Sequence, residues 1–223
     1  MVQPEPAFWE DKIEHLPFFQ NLLSQRAAIQ SEIMAFVNSS GALHAYPKYQ
    51  VDDEHQLYEN EWTAAPLSEF KGEFVSQAPD SPLAKFFAQI TKEGRLKCPL
   101  VTSMIASLEE DGYLANVFVS RLVPGSKINP HKGWTPKWLR VHLGISCDPG
   151  CRITVGQETR TWKEGRLLAF KDGGPYLHSV VHTGTRERIV LSMDFRISYL
   201  QALLQTLPPP GVTPPRGGPS APE

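Results

Sequence analysis

The pattern of hydrophobic and polar residues divides this chain into a helical first half and a β-rich second half. Over residues 16–38 apolar side chains recur every three or four positions with polar residues between them, which predicts an amphipathic helix. Ser81-Pro82 supplies an N-cap and a first-turn proline for a helix ending near residue 91. Another amphipathic helix is predicted over residues 100–108, stopped by Asp111-Gly112.

From Leu114 the apolar period becomes an alternation of two, which is typical of strands. Turn signals such as Pro149-Gly150 and Gly173-Gly174 separate the β-segments, whereas residues 40–80 are polar and irregular. Many short strands with close turns indicate a β-sandwich or jelly roll, with the helices covering one face. The predicted segments are 117–122, 138–144, 152–155, 159–162, 166–170, 180–182 and 188–195.

Length and composition predict one domain followed by a tail. We expect a single domain over residues 1–207, with a helical and irregular part over 1–113 and a β core over 114–200. Residues 208–223 contain seven prolines and three glycines. Such a segment buries too little apolar surface to offset its ordering entropy, so we predict a disordered tail, with a proline-rich docking ligand as the alternative.

Charge and cysteine content limit the function classes. A formal charge of −2 lacks the basic footprint of a nucleic-acid binder, and no apolar run is long enough to cross a bilayer. No secretory signal is visible, so a cytoplasmic location is expected. Cys98, Cys147 and Cys151 are expected to be reduced thiols; a disulfide or a zinc half-site at Cys147 and Cys151 is the alternative. The oligomeric state is left open.

Two histidines and an arginine are the candidates for chemistry. His131 lies in a segment that Pro130 and Gly133 are expected to hold as a loop off the strand ladder, and His178 follows the Gly173-Gly174 turn. Imidazoles at the ends of two β-segments can converge on one metal, for which Fe, Zn, Cu and Ni are suitable. Arg188 would offer a carboxylate two parallel hydrogen bonds. Metal and carboxylate clamp together suggest iron and 2-oxoglutarate; two ordinary loop histidines are the alternative.

An ordered set of motifs resembles the aspartyl/asparaginyl β-hydroxylase family of Fe(II)- and 2-oxoglutarate-dependent oxygenases. Together the motifs span a little over a third of the chain. They are Ser120 with Val123-Pro124-Gly125, Pro130-His131-Lys132-Gly133, Leu139-Arg140-Val141-His142-Leu143-Gly144, Gly150-Cys151-Arg152-Ile153, Glu158 to Arg166, Phe170-Lys171-Asp172, His178-Ser179-Val180, and Arg188-Ile189-Val190 leading to Asp194.

The resemblance implies a double-stranded β-helix in which His131 and His178 ligate Fe(II). Many related oxygenases carry an Asp or Glu two residues after the first histidine, where this chain has Gly133; the family resembled also lacks that carboxylate. The resemblance further implies that Arg188 and Ser120 bind the distal carboxylate of 2-oxoglutarate. It places Arg140 and His142 at the active site, where they help to bind cosubstrate or substrate. These two alternate with Leu139, Val141 and Leu143, so they should share a face.

Neighbouring residues are interpreted more simply. His182 lies four positions after His178 in a predicted strand, too far along it to share a metal. Asp172 is interpreted either as an orienting partner of His178 or as a turn residue, and Trp162 as packing. Trp134 and Trp138 flank the iron loop and are expected to shape the mouth of the site.

The resulting hypothesis is a dioxygenase that hydroxylates a C–H bond of an aspartyl/asparaginyl-type amino acid, a peptide or a biosynthetic small molecule. It would consume O2 and 2-oxoglutarate and release succinate and CO2. No nucleic-acid or membrane partner is expected. The rivals are a non-catalytic cupin-like binding module and a zinc hydrolase that would need Asp172 or His142 as a third ligand.

Overall fold

The computed structural model describes residues 6–39, 41–68 and 80–207. The predicted disordered tail, 208–223, lies outside these residues, and the one-domain boundary at 207 stays a prediction. Within the described part, no helix has both the length and the apolar character needed to cross a membrane.

The helices lie before the β core and at its end. Their bounds are α1 Glu10–Ile13, α2 Pro17–Ser24, α3 Arg26–Val37, α4 Pro82–Lys97, α5 Pro99–Glu110 and α6 Ile197–Thr206. The helix predicted over residues 16–38 is broken at Gln25, where the apolar period has a gap between Leu23 and Ile29.

The helix α4 confirms its predicted start and corrects its predicted end. Ser81 caps it by accepting a hydrogen bond from the backbone N–H of Ala84 at 3.1 Å. It continues past residue 91 to Lys97. Gly94 lies inside this helix, at a position where a side chain would collide with the backbone of Pro66. This glycine allows the helix to pack closely on the sheet.

Two antiparallel sheets form the double-stranded β-helix and confirm the predicted fold class. The strands are β1 His44–Ala45, β2 Tyr58–Glu59, β3 Trp62–Pro66, β4 Leu114–Leu122, β5 Lys127–His131, β6 Trp138–Ser146, β7 Cys151–Val155, β8 Glu158–Thr161, β9 Leu167–Lys171, β10 His178–His182 and β11 Arg188–Arg196. The larger sheet has the order β1-β3-β4-β11-β6-β9, and the smaller has the order β2-β5-β10-β7-β8.

The two faces of the larger sheet bury different cores. Leu139, Val141 and Leu143 of β6 pack with Ile29 and Ile33 of α3, so the helices cover the outer face as predicted. The inner face turns toward the smaller sheet and carries the polar residues of β6 between aromatic side chains. Strand alternation therefore separates a purely apolar layer from a layer that can hold a site.

Three further parts of the structure differ from the sequence prediction. His131 ends strand β5 rather than lying in a loop off the ladder, because Pro130 occupies an exposed position of that short strand. The region 40–80, predicted to be irregular, contains β1, β2 and β3. The chain also turns into α6 at Ile197. The short strands have too few residues for a period to be detected.

Candidate active site

Strand pairing places the two candidate histidines side by side. His131 at the end of β5 is the direct cross-strand partner of His178 at the start of β10. Their ring centroids are 4.1 Å apart and the rings are tilted by 54°. The register shifts between His178 and Val180. Such irregularities occur next to active sites, where they change the direction of a side chain.

Each imidazole keeps one nitrogen without a hydrogen-bond partner among the described residues. Nδ1 of His131 lies 2.8 Å from the carbonyl oxygen of Asn129, which leaves Nε2 uncommitted. Nε2 of His178 lies 3.3 Å from Oδ1 of Asp172, and its buried Nδ1 has no partner. Burial, followed by the neighbouring His178, lowers the pKa of His131 to about 4. His131 is therefore a neutral imidazole at pH 7, the form that binds metals.

The fold leaves no room for a side chain at position 133, which is a glycine. A side chain at this position would overlap the carboxylate of Asp172, whose backbone carbonyl accepts a 2.8 Å hydrogen bond from the Gly133 N–H. Asp172 therefore fills the space in which a carboxylate ligand from position 133 would lie. In the described residues, no cluster of three or more His, Cys, Asp or Glu side chains is arranged to hold a metal.

Arg140 lines the same cavity as the two histidines, and each of its three side-chain nitrogens donates to a protein carboxylate. Nε and Nη2 donate to the two oxygens of Asp194, both at 2.9 Å, and Nη1 donates to Asp172 at 2.6 Å. Burial alone would raise the pKa of Asp172, but Arg140 outweighs it and holds that pKa below its usual range. Arg140 thus fixes Asp172 beside His178.

Arg188 has the opposite surroundings. It is 2% exposed, and Nη1 donates to Oγ of Ser120 at 2.9 Å. Its buried Nε has no acceptor, and no carboxylate in the described residues pairs with it. Burial lowers its pKa from the usual value. The guanidinium lies 5.0 Å from the ring centroid of Trp162. The site therefore contains a buried cation without an anion.

His142 and Trp162 complete the wall of the cavity that contains the two histidines and Arg188. The indole N–H of Trp162 donates to Nδ1 of His142 at 3.0 Å. Burial, followed by Arg188, lowers the pKa of His142 well below its usual value, so the ring is neutral. Trp162 was interpreted from sequence as a packing residue. It is part of the buried core and also lines the cavity.

The other candidates divide between the site and the core. Trp134 is 42% exposed beside Tyr49 and lines a small cleft next to the histidines, as expected. Trp138 is buried in the core and lines neither that cleft nor the cavity. His182 is also buried outside the cavity, and its Nδ1 accepts from the backbone N–H of Gly184.

Sequence reasoning missed two residues beside Arg140. Asp194 ended a recognised motif without an assigned role, and Asn116 was not considered. Asn116 lies in β4 with a φ of 47°, and its Nδ2 donates to Asp194 at 2.9 Å. Asn116 lies four residues before Ser120 in the same strand, and alternate residues of a strand share a face. This spacing could have placed Asn116 on the same face as Ser120.

The two facing antiparallel sheets define the class of double-stranded β-helix, or jelly-roll, proteins. The family model described as aspartyl/asparaginyl beta-hydroxylase matches residues 24–197. The chain therefore belongs to the aspartyl/asparaginyl β-hydroxylase family, which confirms the resemblance drawn from the motifs.

Curated relatives carry the name of the same family. Aspartate beta-hydroxylase domain-containing protein 2 of Mus musculus is 36% identical over 104 residues, covering 44% of this chain and 30% of the relative. The Xenopus tropicalis protein of the same name is 26% identical over 197 residues, covering 77% of this chain and 52% of the relative. The chain thus spans between about a third and a half of these relatives. A cupin-like protein from Thermotoga maritima matches with 9% identity, covering 70% of this chain and 81% of its own, at a TM-score of 0.39.

Proposed function

We propose that this chain is an Fe(II)- and 2-oxoglutarate-dependent dioxygenase that hydroxylates a C–H bond of an amino acid, a peptide or another small molecule. Arg188 is the observation that carries the proposal. A buried charge without a partner costs several kcal/mol, so a fold that retains one needs an anion to complete it. A planar guanidinium beside a serine hydroxyl suits a carboxylate.

The metal would be held by His131 and His178. Both rings are close together, each has a free nitrogen, and imidazole is a common iron ligand. Among the described residues no third protein ligand joins them, and a chelating cosubstrate would supply further ligands. When bound, iron and 2-oxoglutarate would use O2 to supply the oxidising equivalents for hydroxylation, with succinate and CO2 as co-products.

The remaining side chains would orient the reactants. Arg188 and Ser120 would bind the distal carboxylate of 2-oxoglutarate. His142, fixed by Trp162, would line the path between that carboxylate and the histidines. Asp172, fixed by Arg140, would offer a carboxylate beside His178. The aromatic walls would exclude water from the reaction.

Succinate formation from 2-oxoglutarate in the presence of Fe(II) and O2 tests the proposal. We expect slow turnover without substrate and stimulation by a productive amino acid or peptide. Titration of Fe(II) under anaerobic conditions should show one equivalent bound, and His131→Ala together with His178→Ala should abolish this binding.

Arg188→Met and Arg186→Met form a matched pair for the cosubstrate. Arg186 lies two residues earlier and is largely exposed. We expect Arg188→Met to raise the Kd for 2-oxoglutarate at least about a hundredfold, since a charge-assisted pair is lost, and Arg186→Met to leave it unchanged. A protein that binds Fe(II) and 2-oxoglutarate but forms no succinate would be a binding module, and the proposed activity would be refuted.

A further inference from the structure

A groove of about 810 Å³ lies between the outer edges of the two sheets and shares no lining residue with the cavity at the two histidines. Strand β8 is the last strand of the smaller sheet, and β9 is the last strand of the larger one. Residues 159–161 and 166–168 line the groove as two consecutive triplets. A sheet face presents only alternate residues, so the groove runs along the edges of these strands.

The edge of β9 is only partly paired. The carbonyl oxygen of Ala169 accepts from the backbone N–H of Trp9 at 2.8 Å, and the N–H of Ala169 donates to the Glu10 carboxylate at 3.2 Å. Leu167, two residues earlier, directs its backbone groups to the same edge, because bonded and non-bonded pairs alternate in an antiparallel ladder. No described residue outside the sheet forms a backbone hydrogen bond with Leu167. Such an edge is a template for another extended chain.

The groove carries an excess of positive charge. Its charged lining residues are Glu10, Arg152, Arg160, Lys163 and Arg166. Arg160 pairs with Glu10 and with Glu158. With Glu158 included, four cations and two carboxylates leave a net charge of +2, although the whole chain has a formal charge of −2. The groove would therefore attract an anionic partner even though the chain as a whole is acidic.

Three of these cations are available to a partner. Arg152, Lys163 and Arg166 are exposed, and their side chains form no ion pair or hydrogen bond within the part of the chain that the structure describes. Glu164 follows Lys163 but does not balance them, because its carboxylate pairs with Arg186 and does not line the groove. The two leucines at the start of β9 form an apolar wall beside the cations, and a low-dielectric wall focuses the field of like charges.

We propose that this groove docks an extended acidic segment of a partner protein. The segment would pair its backbone with the open strand edge and place carboxylates against Arg152, Lys163 and Arg166. Backbone hydrogen bonds give such complexes affinity, and side-chain contacts give them specificity. A small phosphorylated molecule would use the cations but leave the edge unpaired, so the extended segment accounts for both features. This docking surface goes beyond the proposed function, because it requires neither metal nor 2-oxoglutarate.

Fluorescence anisotropy of the metal-free protein with three labelled octapeptides tests the inference. The first alternates glutamate with valine, the second replaces each glutamate by glutamine, and the third is the first with every backbone amide N-methylated. We expect the first to bind at least about tenfold more tightly than the second, because only the first carries charge. It should bind several-fold more tightly than the third, which has no backbone donors. Its Kd should rise several-fold between about 50 and 500 mM NaCl, because salt screens exposed charges.

Lys163→Glu with Arg166→Glu reverses two of the available cations. Lys92→Glu with Lys97→Glu is the matched control, since both lysines are exposed on α4, lie outside the groove and give the same change in net charge. We expect the first double variant to weaken binding of the glutamate peptide at least about tenfold and the control to change it less than about twofold. Arg188→Met should bind this peptide as the unaltered protein does.

Several results would overturn the inference. They are equal binding of the glutamate and glutamine peptides, no loss on N-methylation, equal effects of the two double variants, or loss of binding in Arg188→Met. Sodium tripolyphosphate tests the alternative ligand. If it binds to the unaltered protein and not to the variant with Lys163→Glu and Arg166→Glu, while the glutamate peptide binds to neither, the groove is a phosphate site and the docking proposal is wrong. If that variant does not fold, the comparison of the three peptides on the unaltered protein still decides.

Discussion

The two arginines of the inner sheet face have opposite environments. Arg140 lies between Asp172 and Asp194, whereas Arg188, at the other end of the cavity, has a serine hydroxyl and no carboxylate. Both are held on antiparallel strands of the same sheet. A buried cation that pairs with protein carboxylates stabilises the fold. A buried cation without such a carboxylate indicates where an anionic ligand binds. The following predictions test this distinction.

The largest expected effect is on stability at Arg140. Replacement by Met leaves the two carboxylates of Asp172 and Asp194 buried together without a cation. We expect the free energy of unfolding to fall by about 3–5 kcal/mol, measured by urea denaturation at pH 7. A loss below about 1 kcal/mol would show that Arg140 does not balance these charges.

Arg188→Met should behave differently, because no carboxylate among the described residues is left unpaired when this charge is removed. We expect the free energy of unfolding without ligand not to fall and to rise by up to about 1–4 kcal/mol, because the variant no longer buries an unpaired charge. Addition of 2-oxoglutarate at 100 times its Kd should stabilise the unaltered, metal-loaded protein by about 2.7 kcal/mol and the variant by none. Thermal unfolding with and without 2-oxoglutarate measures both quantities. Equal stabilisation of the two proteins would remove Arg188 from the site.

Gly133→Ala tests whether Asp172 fills the place of the absent ligand. We expect a loss of about 1–3 kcal/mol, because the new Cβ overlaps the Asp172 carboxylate. In the Asp172→Gly background, Gly133→Ala should cost less free energy of unfolding, because the carboxylate that the new Cβ overlaps is absent. Comparing the free energies of unfolding of the two single variants and the double variant isolates the cost of this overlap. Additive losses would contradict the overlap.

The smallest effect is the pH dependence contributed by His131. Its pKa falls from an ordinary value near 6.5 to about 4 on folding. The unfolded chain therefore binds the proton more tightly, so this contribution to stability is complete above pH 6.5 and is lost as the pH falls toward 4. Between pH 7 and 5 we expect the metal-free protein to lose about 1–2 kcal/mol more than His131→Gln. Parallel curves for the two proteins would contradict the neutral, buried ring.

The motifs predicted which residues lie at the candidate site better than they predicted the ion pairs and hydrogen bonds between them. His131, His178, Arg188 and Ser120 were selected from sequence and lie around one cavity. The partners of Arg140 were not predicted, because Asp172 and Asp194 come from other strands and from a turn. Asn116 was missed because sharing a strand face with Ser120 does not by itself distinguish a site residue from any other polar residue of that face. Its unpaired oxygen becomes visible only when its neighbours are known.

The sequence by itself determined that helices precede a β-rich core, that Arg140 and His142 share a face, and which family the chain belongs to, since these depend on local period and on ordered motifs. Tertiary structure decided which charges are balanced. Pairing of β6 with β11 brings Asp194 to Arg140, and pairing of β6 with β9 brings Asp172 from the turn that follows β9. Among the described residues, no carboxylate pairs with Arg188. Charge balance depends on distances between residues far apart in the chain, and only the packed sheets fix those distances.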